Sequence, residues 1–254
     1  MLEYSNNQAA GLVALSAQRS PRLLAAVSHG DGQAELPLLW RLCLALMEFG
    51  YSVTVLDAST RECADNPGLL QLLDSDYWQG TRSLDAPAWN VVPSALGMQW
   101  LCNQACQGPP DLARLGQLFA QDSVVVVYGN AECLTTLLGN TETEPLLTVS
   151  DKADCLMTSY LALKRLLLMG KLVPTIVDLS QDRHAVALGL GECAKRFLDY
   201  DVRPIHISAL NDENAQHAEV QHLALRWLEG AVALDTRSRH AARDTSPPEF
   251  ARSH

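Results

Sequence analysis

Residues 123–128 have the sequence Ser-Val-Val-Val-Val-Tyr, with four consecutive valines. β-Branched side chains favour extended backbone, because their χ1 rotation is restricted in a helix. A strand that is apolar at every position is typical of a central parallel strand buried on both faces. Parallel strands need crossover connections, which are usually helices. This run therefore predicts an α/β protein.

The N-terminal part of the chain contains one complete β-α-β unit. The apolar residues 23–28 and the β-rich residues 52–57 predict two strands. Between them lie a glycine loop at residues 29–33 and a predicted helix at residues 37–49, which Gly50 ends. Such a unit places its two strands parallel, with a right-handed crossover.

The same alternation continues toward the C-terminus. It predicts one α/β domain with a doubly wound, mostly parallel sheet. Trp40, Leu44 and Met47 on the first crossover helix are predicted core residues. The further predicted strands are 90–93, 146–149, 173–178 and 202–207, and the further predicted helices are 111–120, 156–169, 185–199 and 215–233.

Three segments divide the chain. Residues 1–20 contain a short predicted helix and a linker, and residues 21–234 form the predicted α/β domain. Residues 235–254 are polar and include two consecutive prolines. We expect this last segment to be a flexible tail.

The net charge, the apolar runs and the cysteines exclude several classes of protein. A formal net charge of −10 argues against nucleic acid as a partner, because such binding needs clustered Lys and Arg. We expect no signal peptide, because the N-terminus has no basic segment followed by an apolar run, and no membrane span, because the apolar runs are too short. Seven irregularly spaced cysteines indicate free thiols in a reducing, cytoplasmic compartment. Cys102 and Cys106 would share a helix face, but nothing completes a metal site around them.

The loop after the first predicted strand is the usual phosphate site of such a fold, because backbone amides at a helix N-terminus bind anions. Residues 28–37 have the sequence Ser-His-Gly-Asp-Gly-Gln-Ala-Glu-Leu-Pro and keep the glycines Gly30 and Gly32. A P-loop also needs a Lys for the β- and γ-phosphates and a Ser or Thr for Mg²⁺. Glu35 and Leu36 stand at these two positions.

Residues 23–59 resemble the start of a MinD/ParA ATPase, whose loop normally reads Lys-Gly-Gly-Val-Gly-Lys-Thr. In this alignment Gly30 replaces the signature lysine and Glu35 replaces the P-loop lysine. Two like charges about 4 Å apart repel by roughly 1 kcal/mol in water and more in a drier site. The resemblance therefore implies a degenerate P-loop NTPase of the MinD/ParA type, with no nucleotide cofactor, no catalytic residues and no ATP-dependent dimer.

The acidic residues of the family are only partly present. In P-loop enzymes an Asp at the end of a central strand orients the water shell of Mg²⁺. Residues 123–127 instead lead into Tyr128, Gly129 and Asn130. Asp57 matches an acidic position of the family, but a turn residue after a strand explains it at least as well.

Residues 144–164 resemble the corresponding segment of FlhG (FleN), the MinD-like regulator of flagellar number and placement. In that family a strand leads through a Pro-Thr loop into a helix. Ala153 and Asp154 replace the Pro-Thr pair, and Thr158 replaces a helix Asp. The residues that match the family are Asp151, Tyr160, Leu163 and Lys164.

The N-terminus resembles the same branch. Asn7, Gln8, Ala9 and Leu12 lie in a segment similar to the Asp-Gln-Ala-x-x-Leu-Arg motif of FlhG proteins, although Asn7 replaces the Asp and Val13 replaces the Arg. In that family the motif helix stimulates the GTPase FlhF. The resemblance implies that Gln8 helps to position water in the partner's active site, as glutamines do in other GTPases.

The last predicted helix has an apolar stripe that includes Leu223, Trp227 and Leu228, with Arg226 as its basic residue. Interfacial membrane helices usually carry several Lys or Arg on the polar face. We therefore expect this helix to pack against the sheet, and we expect no stable membrane binding.

These observations together predict a non-hydrolysing, FlhG-like cytoplasmic regulator that is recruited to the cell pole. Its expected partner is an FlhF-type GTPase or another flagellar assembly factor. Two alternatives remain open. One is an active MinD/ParA ATPase with an unusual P-loop, and the other is a MinD-like accessory scaffold for cellulose or pilus assembly.

Overall fold

The structure, a computed structural model, describes residues 20–74, 89–106, 108, 112–139, 141–180, 185–207 and 213–234. The predicted N-terminal helix and the predicted tail lie outside these residues. Within them, the Leu234 amide donates to the Pro21 carbonyl at 2.8 Å. The two ends of the described chain therefore meet, while the domain limits themselves stay a prediction.

Strands and helices alternate along the described chain. The strands are β1 (Arg22–Val27), β2 (Ser52–Asp57), β3 (Trp89–Pro93), β4 (Ser123–Gly129), β5 (Leu146–Val149), β6 (Thr175–Asp178), β7 (Ile205–His206) and β8 (Val232–Ala233). The α-helices are α1 (Gly32–Glu48), α2 (Leu69–Asp74), α3 (Ala95–Ala105), α4 (Leu112–Leu118), α5 (Ala131–Leu138), α6 (Cys155–Arg165), α7 (Ala185–Leu198) and α8 (Glu213–Glu229). One π-helical turn, Leu166–Gly170, continues α6.

The strands form one sheet in the order β3-β2-β4-β1-β5-β6-β7, and β8 pairs antiparallel with β1. All other pairs are parallel. The valine run lies in β4, between β1 and β2, and every residue of β4 is buried. The predictions of a central parallel strand and of a doubly wound, mostly parallel α/β fold are confirmed.

Helices cover both faces of the sheet. Successive side chains of a strand point to opposite faces, so Val124 and Val126 belong to one core and Val125 and Val127 to the other. The first core contains α1 and α8, and the second contains residues of α2–α7. The helix α1, which follows β1, and the helix α5, which follows β4, lie on opposite faces of the sheet. The chain therefore leaves these two neighbouring strands in opposite directions, and a crevice opens at their carboxyl ends.

The first crossover helix begins earlier than predicted. α1 starts at Gly32 rather than at residue 37 and contains Pro37. The Asp31 carbonyl accepts hydrogen bonds from the Ala34 and Glu35 amides, both at 2.9 Å. These bonds form the first turn ahead of the proline, so the proline does not mark the start of the helix.

The prediction that Trp40 and Leu44 lie in the core is wrong. Their side chains are 52% and 41% exposed, because the sheet-facing stripe of α1 is formed by Leu38, Leu42 and Leu46 at intervals of four residues. Trp40 packs edge-on against the Trp89 ring, with 3.9 Å between the centroids.

The end of the domain also differs from the prediction. The last helix ends at Glu229, and residues 232–233 form β8 instead of a further helical turn. The predicted packing of this helix is confirmed, because Leu223, Trp227 and Leu228 are all buried in the core that α1 shares. Among the helices of the described ranges, none is long and apolar enough to cross a membrane.

No helix was predicted over the residues of α2 or α5, and α3 was anticipated only through the helix face that Cys102 and Cys106 would share. Glu62, which is 4% exposed, orders the helices α2 and α3. Its carboxylate accepts hydrogen bonds from the amides of Leu96 at 2.6 Å and Gly97 at 2.8 Å, in the first turn of α3, and from Leu70 of α2 at 3.4 Å. A carboxylate at a helix N-terminus pairs free amides and complements the helix dipole.

Candidate functional site

The loop between β1 and α1 lies at the carboxyl end of the sheet, where folds of this kind bind ligands. The Ser28 amide donates to the Gly129 carbonyl at 2.8 Å, which fixes the loop to the end of β4. Gly30 has a φ of +98°, in the left-handed region where side chains are strained. The chain then enters α1 at Gly32, so its first amides face the crevice.

The carboxylate of Glu35 binds the amides of this loop. Its Oε1 accepts hydrogen bonds from the Asp31 amide at 2.8 Å and from the His29 amide at 3.2 Å. Its Oε2 accepts a third hydrogen bond from the Tyr128 hydroxyl. The Glu35 residue is only 3% exposed. A side-chain anion thus sits on the loop amides at a helix N-terminus, where a P-loop places a phosphate.

Tyr128 reaches Glu35 because of its position in β4. Like Val124 and Val126, it points to the α1 face of the sheet. Burial raises the pKa of the Tyr128 phenol above its usual range, and the hydrogen bond to the Glu35 carboxylate raises it further. The phenol therefore stays protonated, and so remains a hydrogen-bond donor to Glu35, through the neutral pH range.

His29 connects the loop to β5 and α6. Its side chain is 3% exposed. Nε2 lies 2.9 Å from the Thr148 carbonyl, and Nδ1 lies 3.0 Å from the Thr158 hydroxyl. A carbonyl can only accept, so Nε2 carries a hydrogen, and in the neutral ring Nδ1 is the acceptor. Nε2 also lies 3.5 Å from Oε1 of Glu35, so the imidazole and the carboxylate are neighbours.

The loop between β5 and α6 contacts the same site. The Ser150 hydroxyl donates to Oδ2 of Asp31, which is 5% exposed. Lys152 Nζ donates to the Gly30 carbonyl at 2.8 Å and lies 4.0 Å from Oδ1 of Asp31. The Lys152 side chain is half exposed, so its ion pair with Asp31 is a weak one. Two loops are therefore joined across the carboxyl ends of β1 and β5.

Of the residues predicted for function, Leu36 and Asp57 form no hydrogen bond with the Glu35 carboxylate. Leu36 is 50% exposed. Both carboxylate oxygens of Asp57 are bound within its own turn: Oδ1 accepts from the Ser59 amide at 2.9 Å and Oδ2 from the Thr60 hydroxyl at 2.6 Å. These bonds are typical of a turn residue after a strand. Asn7, Gln8, Ala9 and Leu12, the predicted partner-binding residues, lie outside the described residues.

The residues at this site do not fit Mg-ATP in the manner of a P-loop. The loop amides of His29 and Asp31 already donate to a carboxylate. Where the loop lysine would neutralise the phosphates, Glu35 adds negative charge instead, and Leu36 offers no oxygen to Mg²⁺.

His29, Asp31, Tyr128 and Ser150 were not predicted from the sequence as members of this site. Two signals in the sequence pointed to the first three of them. His29 and Asp31 are ionisable residues of the glycine loop, close to Glu35 in the chain. A polar side chain that is buried in such a loop needs a hydrogen-bond partner, so these residues were candidates for contacts with Glu35. The period of two along residues 124, 126 and 128 places the Tyr128 hydroxyl on the same face as α1.

The strand order and the loop after β1 define the class of fold: this is the fold of the MinD/ParA-type P-loop ATPases. No protein-family model matches the sequence, and no curated protein matches it.

Three solved structures illustrate the similarity. A plasmid partition protein from Borrelia burgdorferi has a TM-score of 0.54 and 12% identity, covering 82% of this chain and 99% of that one. Cobyrinic acid a,c-diamide synthase from Mycobacterium smegmatis, with bound ADP and magnesium, has a TM-score of 0.53 and 13% identity, covering 82% of this chain and 94% of that one. A chain of the MinC:MinD cell division protein complex from Aquifex aeolicus has a TM-score of 0.51 and 12% identity, covering 84% of this chain and 98% of that one. At these identities the similarity establishes the fold alone.

Proposed function

We propose that this protein is a non-hydrolysing, FlhG-like regulator of flagellar number or placement, and that it acts by binding an FlhF-type GTPase or another flagellar assembly factor. The observation that carries the proposal is the contact of the Glu35 carboxylate with the loop amides of His29 and Asp31. A protein whose phosphate site is filled by its own side chain acts through its surface rather than through nucleotide chemistry.

Nucleotide binding at this loop would carry two energetic costs. A nucleotide phosphate would have to displace a buried carboxylate that accepts three hydrogen bonds. Each donor left unpaired during that exchange costs about 1–3 kcal/mol. The displaced carboxylate would then still lie beside the phosphate, and like charges repel more strongly in a site that excludes water.

The flagellar part of the proposal rests on the two resemblances to FlhG. One of them, residues 144–164, lies next to the filled loop, since Ser150 bonds to Asp31 and Thr158 to His29. The other, around Gln8 and Leu12, supplies the proposed contact with the GTPase. An active ATPase and a scaffold for cellulose or pilus assembly give different results in the following experiments.

Mg-ATP is expected not to bind with measurable affinity. The physical reason is the Glu35 carboxylate on the loop amides, together with the missing lysine and Mg²⁺ ligand. Isothermal titration calorimetry with Mg-ATP should give only heat of dilution, and phosphate release should equal the rate without protein. An active MinD-type ATPase, measured in parallel, shows that the assays can detect both properties.

The same samples test whether Mg-ATP makes the protein dimerise. Because Gly30 replaces the signature lysine, we expect the mass from light scattering to be the same with and without Mg-ATP. Micromolar affinity for Mg-ATP, or a dimer that forms only when ATP is added, would support the active-ATPase alternative and contradict the proposal.

The partner contact is tested with the cognate FlhF-type GTPase. Leu12→Ala should weaken binding about tenfold or more, because burying a leucine contributes about 1.5–3 kcal/mol. It should leave the melting temperature of the isolated protein nearly unchanged. Gln8→Ala should preserve binding and reduce stimulation of GTP hydrolysis. Binding is measured by pull-down and titration, with Asn6→Ala as the matched control beside the motif.

A packed N-terminal extension would behave differently. Leu12→Ala would then lower the melting temperature without a specific effect on the partner. If deletion of residues 1–18 leaves both the binding and the GTPase rate unchanged, the flagellar proposal loses its mechanism.

A further inference from the structure

Two cysteines face each other beside the end of β4. Cys102 lies on α3 and Cys133 on α5, and their Sγ atoms are 3.8 Å apart. The helices hold this position through the core, where Met98 and Leu101 of α3 and Leu134 of α5 are each at most 2% exposed. The thiols are therefore placed by packing and not by a mobile loop.

The exposure of the two thiols and the pKa of Cys102 favour oxidation. Both cysteines are half-buried, so a small oxidant can approach them. Hydrogen bonding with the Cys133 thiol lowers the pKa of Cys102, whereas burial and the Glu132 carboxylate raise it. A thiol with a lowered pKa has more of the reactive thiolate form.

We propose that Cys102 and Cys133 form a reversible intramolecular disulfide when the protein meets hydrogen peroxide, which makes this pair an oxidative modification site. The sulfur atoms are already neighbours, and they need to move from 3.8 Å to the bond length of ~2.05 Å. In a reducing compartment disulfides of this kind are transient and respond to oxidants.

The reaction balances in two steps. The Cys102 thiolate attacks one peroxide oxygen, the O–O bond breaks, and the departing hydroxide takes a proton to become water, leaving a sulfenic acid. The Cys133 sulfur then attacks the Cys102 sulfur. An S–S bond forms, the S–O bond breaks, and the leaving hydroxyl takes the Cys133 proton to become water. Two thiols are oxidised and one peroxide is reduced to two waters.

The bond would join α3 to the first turn of α5. The Asn130 side chain caps this helix by accepting from the Cys133 amide at 2.8 Å. The preceding residue, Gly129, receives the Ser28 amide of the candidate site. Oxidation would therefore stiffen the end of β4 that supports the loop, and we expect the oxidised protein to melt at a higher temperature than the reduced one.

The test uses the full chain in a Cys106→Ser background. Trypsin leaves Cys102 and Cys106 on one peptide, residues 83–114, and Cys133 on another, residues 115–152. Removing Cys106 makes any link between these peptides specific to Cys102 and Cys133. Reduced protein is treated with hydrogen peroxide, its remaining thiols are blocked with N-ethylmaleimide, and the digest is analysed by mass spectrometry without reductant.

We expect the linked peptide pair, a loss of two free thiols and full reversal by dithiothreitol. Cys102→Ser in the same background should abolish the link, and Cys63→Ser should keep it. Melting curves of the reduced variants verify folding, and Cys102→Ala replaces the serine variant if the latter is unstable. Peroxide consumption without the linked pair, or with links only between molecules, would overturn the proposal. The assay involves neither nucleotide nor GTPase, so its result is independent of the proposed function.

Discussion

Glu35→Ala is expected to lower the free energy of unfolding by at least about 3 kcal/mol. The substitution leaves three donors unpaired in a buried site, namely the amides of His29 and Asp31 and the hydroxyl of Tyr128. Each unpaired buried donor costs about 1–3 kcal/mol. For a chain of this size the loss corresponds to a melting temperature about 6–12 °C lower. Thermal and urea unfolding measure it.

Glu48→Ala is the matched control, because Glu48 is an exposed glutamate at the other end of the same helix. It lies 3.3 Å from His217 in a surface pair, and its loss should cost less than about 1 kcal/mol. A Glu35→Ala variant as stable as wild type would show that the carboxylate does not hold the loop.

The Glu35→Ala variant also tests whether the carboxylate takes the place of a phosphate. With the side chain removed, the two amides point at an open position at the N-terminus of α1, which suits an anion. Inorganic phosphate should then raise the melting temperature of Glu35→Ala more than that of wild type, since a ligand that binds only the native state stabilises it. An equal effect on both proteins would indicate a general salt effect.

Trp227→Ala is expected to have an effect of similar size, about 3–5 kcal/mol. Trp227 is 2% exposed and packs in the core between α8, α1 and the sheet. Replacing a buried tryptophan by alanine removes its transfer free energy and leaves a cavity. Trp227→Phe should cost less, because a phenyl ring fills most of the space of the indole and the buried indole N–H has no hydrogen-bond partner to lose. Urea unfolding compares the variants.

Leu225→Ala is the control for α8, since its side chain is 47% exposed. It should change the stability by no more than about 0.5 kcal/mol. If the apolar stripe of α8 served a membrane instead of the core, Trp227→Ala would reduce binding to anionic vesicles and leave the unfolding curve unchanged.

Local sequence predicted most of the framework, because strand and helix periodicity are short-range properties. The valine run fixed β4 as a central strand, and residues 52–57 matched β2 in both bounds. The helix α5 was missed because it has only eight residues, so that its apolar repeat, Ala131, Leu134, Leu137 and Leu138, covers little more than two turns. Trp40 was misassigned because several residues of α1 are apolar, and only packing against the sheet decides which stripe is buried.

The amino-acid sequence alone shows which chemical groups stand in the loop: a carboxylate at position 35 and an apolar side chain at position 36. It did not determine what the carboxylate binds. Tyr128 is 93 positions from Glu35 in the chain, and Thr148 is 119 positions from His29. These contacts exist because β1 pairs with β4 on one side and β5 on the other, and strand register is set by the packing of the whole sheet. The tertiary structure therefore sets the contacts of Glu35 with Tyr128 and of His29 with Thr148, whereas the bonds from the Asp31 and His29 amides to Glu35 span only four and six positions of the chain.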